Sequence, residues 1–549
     1  MELATVLVLI FGAFLLAWIL WRPRKPSTGT AIEKIPGPPA KNWLAGHIKE
    51  LSSRDANPFY RNLEDVYGSV VRLKGPLGVD CQWLYTYDPV AVYSIFVKNQ
   101  ACFDELEWFE KSANFFLGPG LLSVMGDQHK KQRRMLHPVF SAKHIRELLP
   151  TFYEVSHKLV AGISSKLQDG GTDVDVLNWL GRTALELIAQ AGIGHSFDTL
   201  IEDASTHPFA AAVKNYVPLY FSTPGMIYHQ IITVLGKLGM PSVSHWIVDH
   251  SPSRTIRDLR GVTRILHDTS SDIIRRKKAA LENGEFGNGD GKDIMSVLLK
   301  ANSAAESRDR LSDDELVAQV STLLFAATDT TSNALARTLH VLSQRPEVQT
   351  KLREEILDAR DGNDLPYDVL DTLPYLDAVC KEVLRVYSPS PVNYRQATQD
   401  TILPLSTPVK GTDGSSSEGV FVPKGSIVMV SLTACNCNKE LWGDDADEWK
   451  PERWLSPLPR TLEEASIPGP FAHLMSFLGG PRACIGYKFA ILEMKVVLSM
   501  LVANFTFESS TEKSVFWNHS GVLYPSTGQD SSNPAMWLKV GIYRGGDRQ

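Results

Sequence analysis

The chain has 549 residues, with 56 Lys and Arg against 62 Asp and Glu, and its formal net charge is -6. A slightly acidic balance of this kind argues against a nucleic-acid partner, which would favour a basic surface. Hydrophobic residues make up 43% of the chain, which is the composition of an ordinary globular protein. The six cysteines lack the spacing of a disulfide framework, so they suit a reducing compartment.

The N-terminal segment is strongly apolar. No charged residue occurs from Leu3 to Trp21, and about 20 apolar residues are enough to cross a bilayer. Basic residues follow this segment rather than precede it, which is the reverse of a cleaved signal peptide. We therefore expect residues 1–22 to form a single transmembrane anchor, residues 23–40 a basic and proline-rich linker, and residues 41–549 one large domain. The positive-inside tendency predicts that this domain is cytosolic.

The remaining chain reads as mostly helical with small sheets. Val70 to Leu73 and Gln82 to Thr86 are short runs of β-branched and aromatic residues, which predict an early hairpin. The stretch from Gly411 to Gly419 predicts a surface loop.

Ser312 and Glu315 form the pattern of a capping box. We expect a long apolar helix from this point to about Ser343 and a further helix from Pro346 through Leu357.

Near the C-terminus, the stretch from Phe477 to Gly486 presents one cysteine, Cys484, with Phe477 and Arg482 at set distances before it. Tyr487 to Val502 predicts a helix, so Cys484 should lie near unpaired backbone N–H groups that lower a thiol pKa. We also expect Gly480 and Gly486 to permit tight turns beneath a flat macrocycle. This loop is suited to offering a thiolate to haem iron.

The spacing Phe-x-x-Gly-x-Arg-x-Cys-x-Gly resembles the cysteine-ligand signature of the cytochrome P-450 family of haem-thiolate monooxygenases. The chain is most similar to fungal microsomal members. The resemblance implies the family's mostly α fold, haem b bound through Cys484 as the metal ligand, and oxidation of a small molecule by dioxygen. A thiolate ligand pushes electron density that favours O–O cleavage.

An acid and a hydroxyl interrupt the long apolar helix at Asp329 and Thr330. A threonine within a helix can bond back to a carbonyl one turn earlier and loosen the ladder. The resemblance implies that Thr330 stabilises the bound oxygen and that Asp329 relays protons. Ala327 stands where the family usually has glycine, which should narrow the oxygen groove slightly.

Glu382 and Arg385 are three residues apart on one predicted helix, a spacing at which they can pair. Arg453 follows downstream within Pro-Glu-Arg-Trp. Together they resemble the family's Glu-Arg-Arg triad, so we expect all three to be structural.

The two haem propionates need cationic partners. The resemblance implies Arg482, Arg133 and Arg395 at the family's arginine positions. His129 stands where the family usually has tryptophan, and a histidine can still donate a hydrogen bond to a propionate.

Electrons should come from a separate protein, because the chain has no flavin or nicotinamide fingerprint. The resemblance implies NADPH-cytochrome P-450 reductase, with NADPH acting only through it and cytochrome b5 as an additional partner. Lys130, Lys131, Arg134 and Lys488 are the predicted docking face.

The family pattern also indicates which segments line the substrate pocket. These are Glu107 to Leu117, Phe209 to Met226, Thr322 to Ala326, Pro391 to Asn393 and the loop near Val522. The first two are aromatic: Trp108, Phe109, Phe115, Phe116, Tyr216, Tyr220 and Phe221. An aromatic stripe can equally be core, but a tethered pocket of this kind suits a lipophilic substrate.

The resulting expectation is a membrane monooxygenase of the endoplasmic reticulum that oxidises a lipophilic molecule, such as a terpenoid or another secondary metabolite. A haem-thiolate isomerase or dehydratase of oxidised lipids is the alternative, although the Asp329–Thr330 pair argues against it. A haem sensor or carrier is a non-enzymatic alternative.

Overall fold

A computed structural model describes residues 31–42, 45–76, 82–168, 173–202, 207–284 and 291–545. No helix within these ranges is both long and apolar enough to cross a bilayer. The predicted anchor, residues 1–22, lies outside them, as does the linker before residue 31.

Helices dominate the described part of the chain, as predicted. They are α1 Ala31–Lys34, α2 Ile48–Leu51, α3 Asn57–Tyr67, α4 Pro89–Tyr93, α5 Glu107–Leu117, α6 Gly126–Leu136, α7 Ala142–Glu147, α8 Leu149–Gln168, α9 Val176–Leu187, α10 Pro208–Tyr220, α11 Thr223–Lys237, α12 Pro241–Asp249, α13 Arg254–Glu282, α14 Ile294–Ala304, α15 Asp313–Ser343, α16 Pro346–Arg360, α17 Tyr367–Thr372, α18 Pro374–Val386, α19 Leu432–Asn436, α20 Lys439–Trp442, α21 Arg460–Glu464 and α22 Tyr487–Asn504.

The strands form four small sheets. They are β1 Val70–Lys74, β2 Gln82–Thr86, β3 Phe103–Asp104, β4 Asp173–Asp175, β5 Val392–Ala397, β6 Thr401–Lys410, β7 Ser416–Val422, β8 Ile427–Ser431, β9 Phe505–Ser509, β10 Val515–Asn518, β11 Tyr524–Thr527 and β12 Trp537–Ile542. The largest sheet has the order β1-β2-β8-β5-β3, and its β1–β2 pair is the predicted hairpin. The other sheets are β4-β12-β9 and the hairpins β6-β7 and β10-β11.

Helix α15 is a long helix at the centre of the helical core. Its capping box forms as predicted, with the Ser312 hydroxyl accepting from the Glu315 N–H and the Glu315 carboxylate accepting from the Ser312 N–H. The helix has 31 residues and is about 45 Å long at 1.5 Å per residue. It packs against α9, α13, α18 and α22 within the main hydrophobic core. This position brings the middle of α15 against α22, the helix that follows Cys484, where Thr331 faces Glu493.

The loop predicted from Gly411 to Gly419 is in part a hairpin. Residues from Ser416 onward belong to β7, which pairs with β6. The side chains at the tip are exposed, and the backbone pairing that orders them comes from β6, a contact that local composition does not indicate.

Candidate active site

A short, hydrogen-bonded loop carries Cys484 to the start of α22. The Cys484 N–H donates to the Phe477 carbonyl at 2.8 Å, and the Ala483 N–H donates to the Gly480 carbonyl at 3.0 Å. Gly480 has φ +66, and a Cβ at this position would lie 1.9 Å from the Phe96 carbonyl oxygen. Glycine is therefore required here both by conformation and by close approach. The result is an exposed cysteine on a closely constrained turn.

The structure bears on two expectations about this loop. Gly486 has φ -89, which any residue can adopt, so its conformation does not require glycine. The Cys484 side chain is accessible to solvent, yet the protein packed around it desolvates the thiol and raises its pKa, whereas the Gly486 backbone and Arg133 lower that pKa in part, as the predicted helix terminus would. Desolvation thus outweighs the helix terminus, and a thiolate here needs a further positive charge.

Four cationic or potentially cationic side chains gather near this loop. Burial, together with nearby Arg482 and Arg133, lowers the pKa of His129 to about 4, so its imidazole is neutral near pH 7. Burial lowers the pKa of Arg133, and nearby Arg482 lowers it further while Cys484 raises it. Burial also lowers the pKa of Arg395, and Arg482 acts in the same direction. Helix α6 supplies His129 and Arg133, strand β5 supplies Arg395, and the cysteine loop supplies Arg482.

Backbone groups orient these arginines. Arg133 Nη1 donates to the Ala483 carbonyl at 2.8 Å. Arg482 Nη2 donates to the Val124 carbonyl at 2.8 Å and contacts Met125 Sδ. Among the described residues, neither arginine has a carboxylate within ion-pair distance, so the cluster is electrostatically unbalanced and suited to an anionic group.

Arg395 is the most deeply buried member of the cluster. It forms an ion pair with Glu105 at 2.9 Å, a residue that the sequence did not single out. Nη1 also donates to the Tyr394 carbonyl at 2.7 Å, whereas Nη2 is buried without an acceptor among the described residues. An unsatisfied buried donor is costly, which indicates that an additional acceptor belongs here.

The middle of α15 has an exposed face, here called the open wall, although most of the helix is buried. Residues 321–324 are all buried, whereas Ala326 is exposed and Thr330 is half-buried. Thr330 Oγ1 donates to the Ala326 carbonyl at 2.8 Å, which is the back-bond that the sequence predicts. Burial raises the pKa of Asp329 to about 6, while Lys214 acts in the opposite direction. An acid with this pKa can gain or lose a proton near neutral pH.

Glu382 joins α18 to the segment that leads to the cysteine loop. Its carboxylate accepts two hydrogen bonds of 2.8 Å from Arg385, and both of these charged groups are completely buried. Arg453 Nε lies 3.5 Å from Glu382 Oε1 and Trp454 Nε1 donates to Glu382 Oε2 at 2.9 Å. Arg453 also pairs with Asp445 at 2.8 Å. The network is fully buried at its centre, and such networks stiffen the segments that they connect.

Glu493 on α22 is a buried carboxyl that sequence reasoning missed. It is completely covered, faces Thr331 of α15, and neither of its oxygens makes a hydrogen bond of normal geometry within the described chain. Burial raises its pKa well above the usual range, so the group is a neutral acid. Its position inside the apolar run from Tyr487 to Val502 was the signal available in the sequence.

Most of the predicted pocket aromatics lie in the core. Phe116, Tyr216 and Tyr220 are buried, and Phe221 is exposed on the outer surface. Trp108, Phe109 and Phe115 are partly covered. Helix α5, which carries the first predicted segment, lines a cavity of about 480 Å³ together with α11, α12 and α13.

The predicted docking face is largely neutralised. Lys130 pairs with Asp127, Lys131 pairs with Glu315, and Arg134 pairs with Asp309, at 3.0, 3.3 and 3.2 Å. Glu315 and Asp309 lie far along the chain, so sequence spacing does not show the pairs of Lys131 and Arg134, whereas Asp127 lies three residues before Lys130 on the same helix. Lys488 alone of the four has no carboxylate partner in the described part of the chain; its Nζ lies 5.7 Å from the Tyr487 ring centroid.

Comparison with known proteins gives a consistent result. The cytochrome P450 family model matches residues 36–529. Cytochrome P450 monooxygenase 81 of Postia placenta is 45% identical over 96% of both chains, and monooxygenase 219 of the same fungus is 44% identical over 99% of this chain and 100% of its own. The ganoderic acid synthetase of Ganoderma lucidum is 43% identical over 97% of this chain and 98% of its own.

A mostly helical fold with small sheets, an exposed cysteine before a long helix and a cluster of unpaired arginines define a haem-thiolate protein. The chain belongs to the cytochrome P450 family and is an enzyme of its monooxygenase class. The residues present fit a haem. The thiol of Cys484 would supply a soft ligand to the iron. Arg395 Nη2, which has no acceptor among the described residues, and Arg133 and Arg482, which have no carboxylate partner there, would hold two propionates.

Proposed function

We propose that this enzyme inserts one oxygen atom of O2 into a lipophilic small molecule, with a terpenoid as the first candidate. The exposed Cys484 thiol, in a site that also holds unpaired arginines, is the observation that carries this proposal. When bound, haem b would supply the one-electron and dioxygen chemistry. The ganoderic acid synthetase relative supports a terpenoid, a family of compounds that fits a tethered enzyme.

The chain's own residues have separable roles in this proposal. Cys484 holds the iron, and Arg133, Arg395, Arg482 and the neutral imidazole of His129 hold the propionates. Phe477 packs beside the cysteine loop, where it contacts Phe471 and Tyr487.

Asp329 and Thr330 deliver protons to the bound dioxygen in this proposal. The Thr330 hydroxyl donates to the Ala326 carbonyl, so its oxygen lone pairs remain free to accept a hydrogen bond from the groove. Asp329 Oδ holds a proton below about pH 6 and exchanges it near neutrality. This proton-delivering pair favours oxygenation over the isomerase alternative, which needs no protons for dioxygen.

Electrons come from NADPH through a separate NADPH-cytochrome P-450 reductase, and cytochrome b5 is a second candidate donor. Lys488 is the cation best available for contact with an acidic partner, because the other three predicted docking charges are paired. Lys488→Glu should raise the KM for the reductase several-fold and leave substrate binding unchanged.

The proposed location is the endoplasmic reticulum membrane, with one N-terminal span and a cytosolic catalytic domain. The uncharged run from Leu3 to Trp21 and the basic residues after it support this proposal.

The first experiment is the absorption spectrum of the reduced, carbon-monoxide-bound protein, compared with Cys484→Ala. A strongly red-shifted Soret band that is lost in the variant is expected. Reconstitution with reductase and a panel of terpenoids should then yield a product that is one oxygen atom heavier. A histidine-like band in the folded parent would contradict the assigned ligand, and NADPH-independent rearrangement of a lipid peroxide would support the isomerase instead.

A further inference from the structure

Arg337 lies on α15, two turns beyond Thr330, and has no counter-ion in the described part of the chain. Seven residues bring both side chains to nearly the same helix face, about 10 Å apart along the axis. The Arg337 guanidinium is half-buried. Within the described ranges it forms no ion pair and donates no hydrogen bond, and burial lowers its pKa to about 9. An interior cation without a carboxylate must be stabilised by other contacts.

Aromatic rings supply those contacts. Arg337 Cζ lies 3.5 Å from the Trp517 ring centroid and 4.4 Å from that of Tyr387. A planar guanidinium stacks well between such rings. Trp517 Nε1 also donates to His340 Nδ1 at 3.1 Å, one turn further along α15. Because burial and Arg337 lower the pKa of His340 to about 4, its ring stays neutral and Nδ1 remains an acceptor.

These contacts join three separate segments. Trp517 belongs to β10 of the β10–β11 hairpin, whose connection carries Val522. Tyr387 caps α18 and precedes the loop that leads to Pro391. The Leu523 N–H donates to the Pro389 carbonyl at 2.8 Å, so the hairpin tip and that loop touch directly. The hairpin tip includes the predicted pocket loop near Val522, and the other loop leads directly into the predicted pocket segment from Pro391 to Asn393.

We propose that Arg337, together with Trp517 and His340, is a positioning clamp that holds the β10–β11 tip in place and thereby sets how bulky a ligand the substrate pocket accepts. The clamp itself rests only on contacts in the structure, whereas its effect on ligand size rests on the proposed function. Arg337 acts through the hairpin and is a positioning residue.

Hydrogen-deuterium exchange of the full-length protein tests the clamp without any substrate. Arg337→Met keeps side-chain length and removes the charge and the planar stack. We expect amide exchange in residues 515–527 to become at least fivefold faster, with the β6–β7 hairpin unchanged. The matched control is Arg345→Met, because Arg345 is exposed and its Cζ lies 5.7 Å from another indole, Trp449. Equal exchange in parent and Arg337→Met would overturn the clamp.

Azole binding to the haem-loaded protein tests the effect on the pocket. Clotrimazole is a bulky probe and imidazole is a small one. In Arg337→Met the Kd for clotrimazole should change at least threefold while that for imidazole stays constant. An unchanged clotrimazole Kd would refute control of ligand size, and an equal change for both azoles would place the effect at the haem site instead.

Trp517→Phe provides a second variant in case Arg337→Met does not fold. It removes the N–H donated to His340 and replaces the indole that stacks on Arg337 with a smaller ring, so it should give faster hairpin exchange of the same sign. If the parent shows no thiolate spectrum, the proposed function fails, but the exchange experiment still decides whether the clamp exists.

Discussion

Thr330 and Thr328 make the same local hydrogen bond but face different surroundings. Thr328 Oγ1 donates to the Leu324 carbonyl at 2.7 Å and is buried, whereas Thr330 borders the open wall of α15. Replacing either threonine by alanine removes the same bond to the helix backbone, so an effect on oxygen chemistry that appears only at Thr330 cannot come from loss of that bond.

Thr330→Ala should retain the thiolate spectrum but divert most reducing equivalents to hydrogen peroxide, lowering product per NADPH at least fivefold. Thr330→Ser should largely restore the yield, and Thr328→Ala should not affect it. The measurement is product, peroxide and NADPH in one reconstituted reaction. A product yield in Thr330→Ala equal to that of the parent would remove the role assigned to this hydroxyl.

Asp329 should make turnover depend on pH. Its folded pKa of about 6 means that the protonated fraction falls as pH rises above 6. We expect product per NADPH to decrease from pH 6 to pH 8 in the parent, with an inflection near the pKa. Asp329→Asn should show a low and flat profile over the same range. An inflection that persists in Asp329→Asn must belong to another group.

Between the helices α22 and α15 lies a buried, neutral carboxylic acid, Glu493. Glu493 binds its proton far more tightly in the folded chain than in the unfolded chain, because burial raises its pKa. The folded state therefore holds more protons above the unfolded pKa, and stability falls as pH rises. For one such group the slope is at most about 1.4 kcal/mol per pH unit.

Glu493→Gln keeps the shape of the side chain and removes this titration. The difference in free energy of unfolding between variant and parent should grow in favour of the variant from pH 5 to pH 8. Chemical denaturation of the haem-loaded protein, followed by the Soret band and by far-UV circular dichroism, gives the comparison. Parallel pH profiles for the two proteins would show that Glu493 ionises freely in the fold.

At the scale of the whole molecule, attachment to a membrane and folding of the catalytic domain should be separable. The family match begins at residue 36, and the described fold begins at residue 31. Pro36 already belongs to the domain, because its carbonyl accepts from the Arg72 N–H at 3.0 Å.

Deletion of residues 2–22 should release much of the protein from carbonate-washed microsomes while the red-shifted carbon-monoxide band is kept. Full-length protein should stay in the pellet, and protease added to intact microsomes should digest its domain. A protected domain would reverse the proposed orientation. The chain carries two Asn-x-Ser/Thr glycosylation sequons, at Asn504 and Asn518, and a cytosolic domain should leave both unmodified. The sequon at Asn518 is uninformative about orientation, because its side chain is buried and hydrogen-bonded to Ser526. Asn504, which is only half-buried, is the sequon to monitor.

Local patterns were sufficient to predict several features. The capping box at Ser312, the length of α15, the early hairpin and the back-bond of Thr330 depend on residues within a few positions of one another. The cysteine motif likewise identified the family, because its residues form one continuous loop. Contacts between distant segments were not predictable in this way: the ion pair of Arg395 with Glu105 joins β5 to a residue far earlier in the chain.

The sequence by itself determined the family, the helical framework and the candidate residues of the haem site, since these follow from motifs and spacing along the chain. Only the tertiary structure decided the charge state of those residues. Burial outweighs the helix terminus at Cys484, neutralises Glu493 and His129, and leaves Arg337 between two rings. Carboxylates from a distant segment pair with Lys131 and Arg134 of the predicted docking face. Desolvation and long-range pairing depend on which segments pack together, and the linear order of residues does not specify that packing directly.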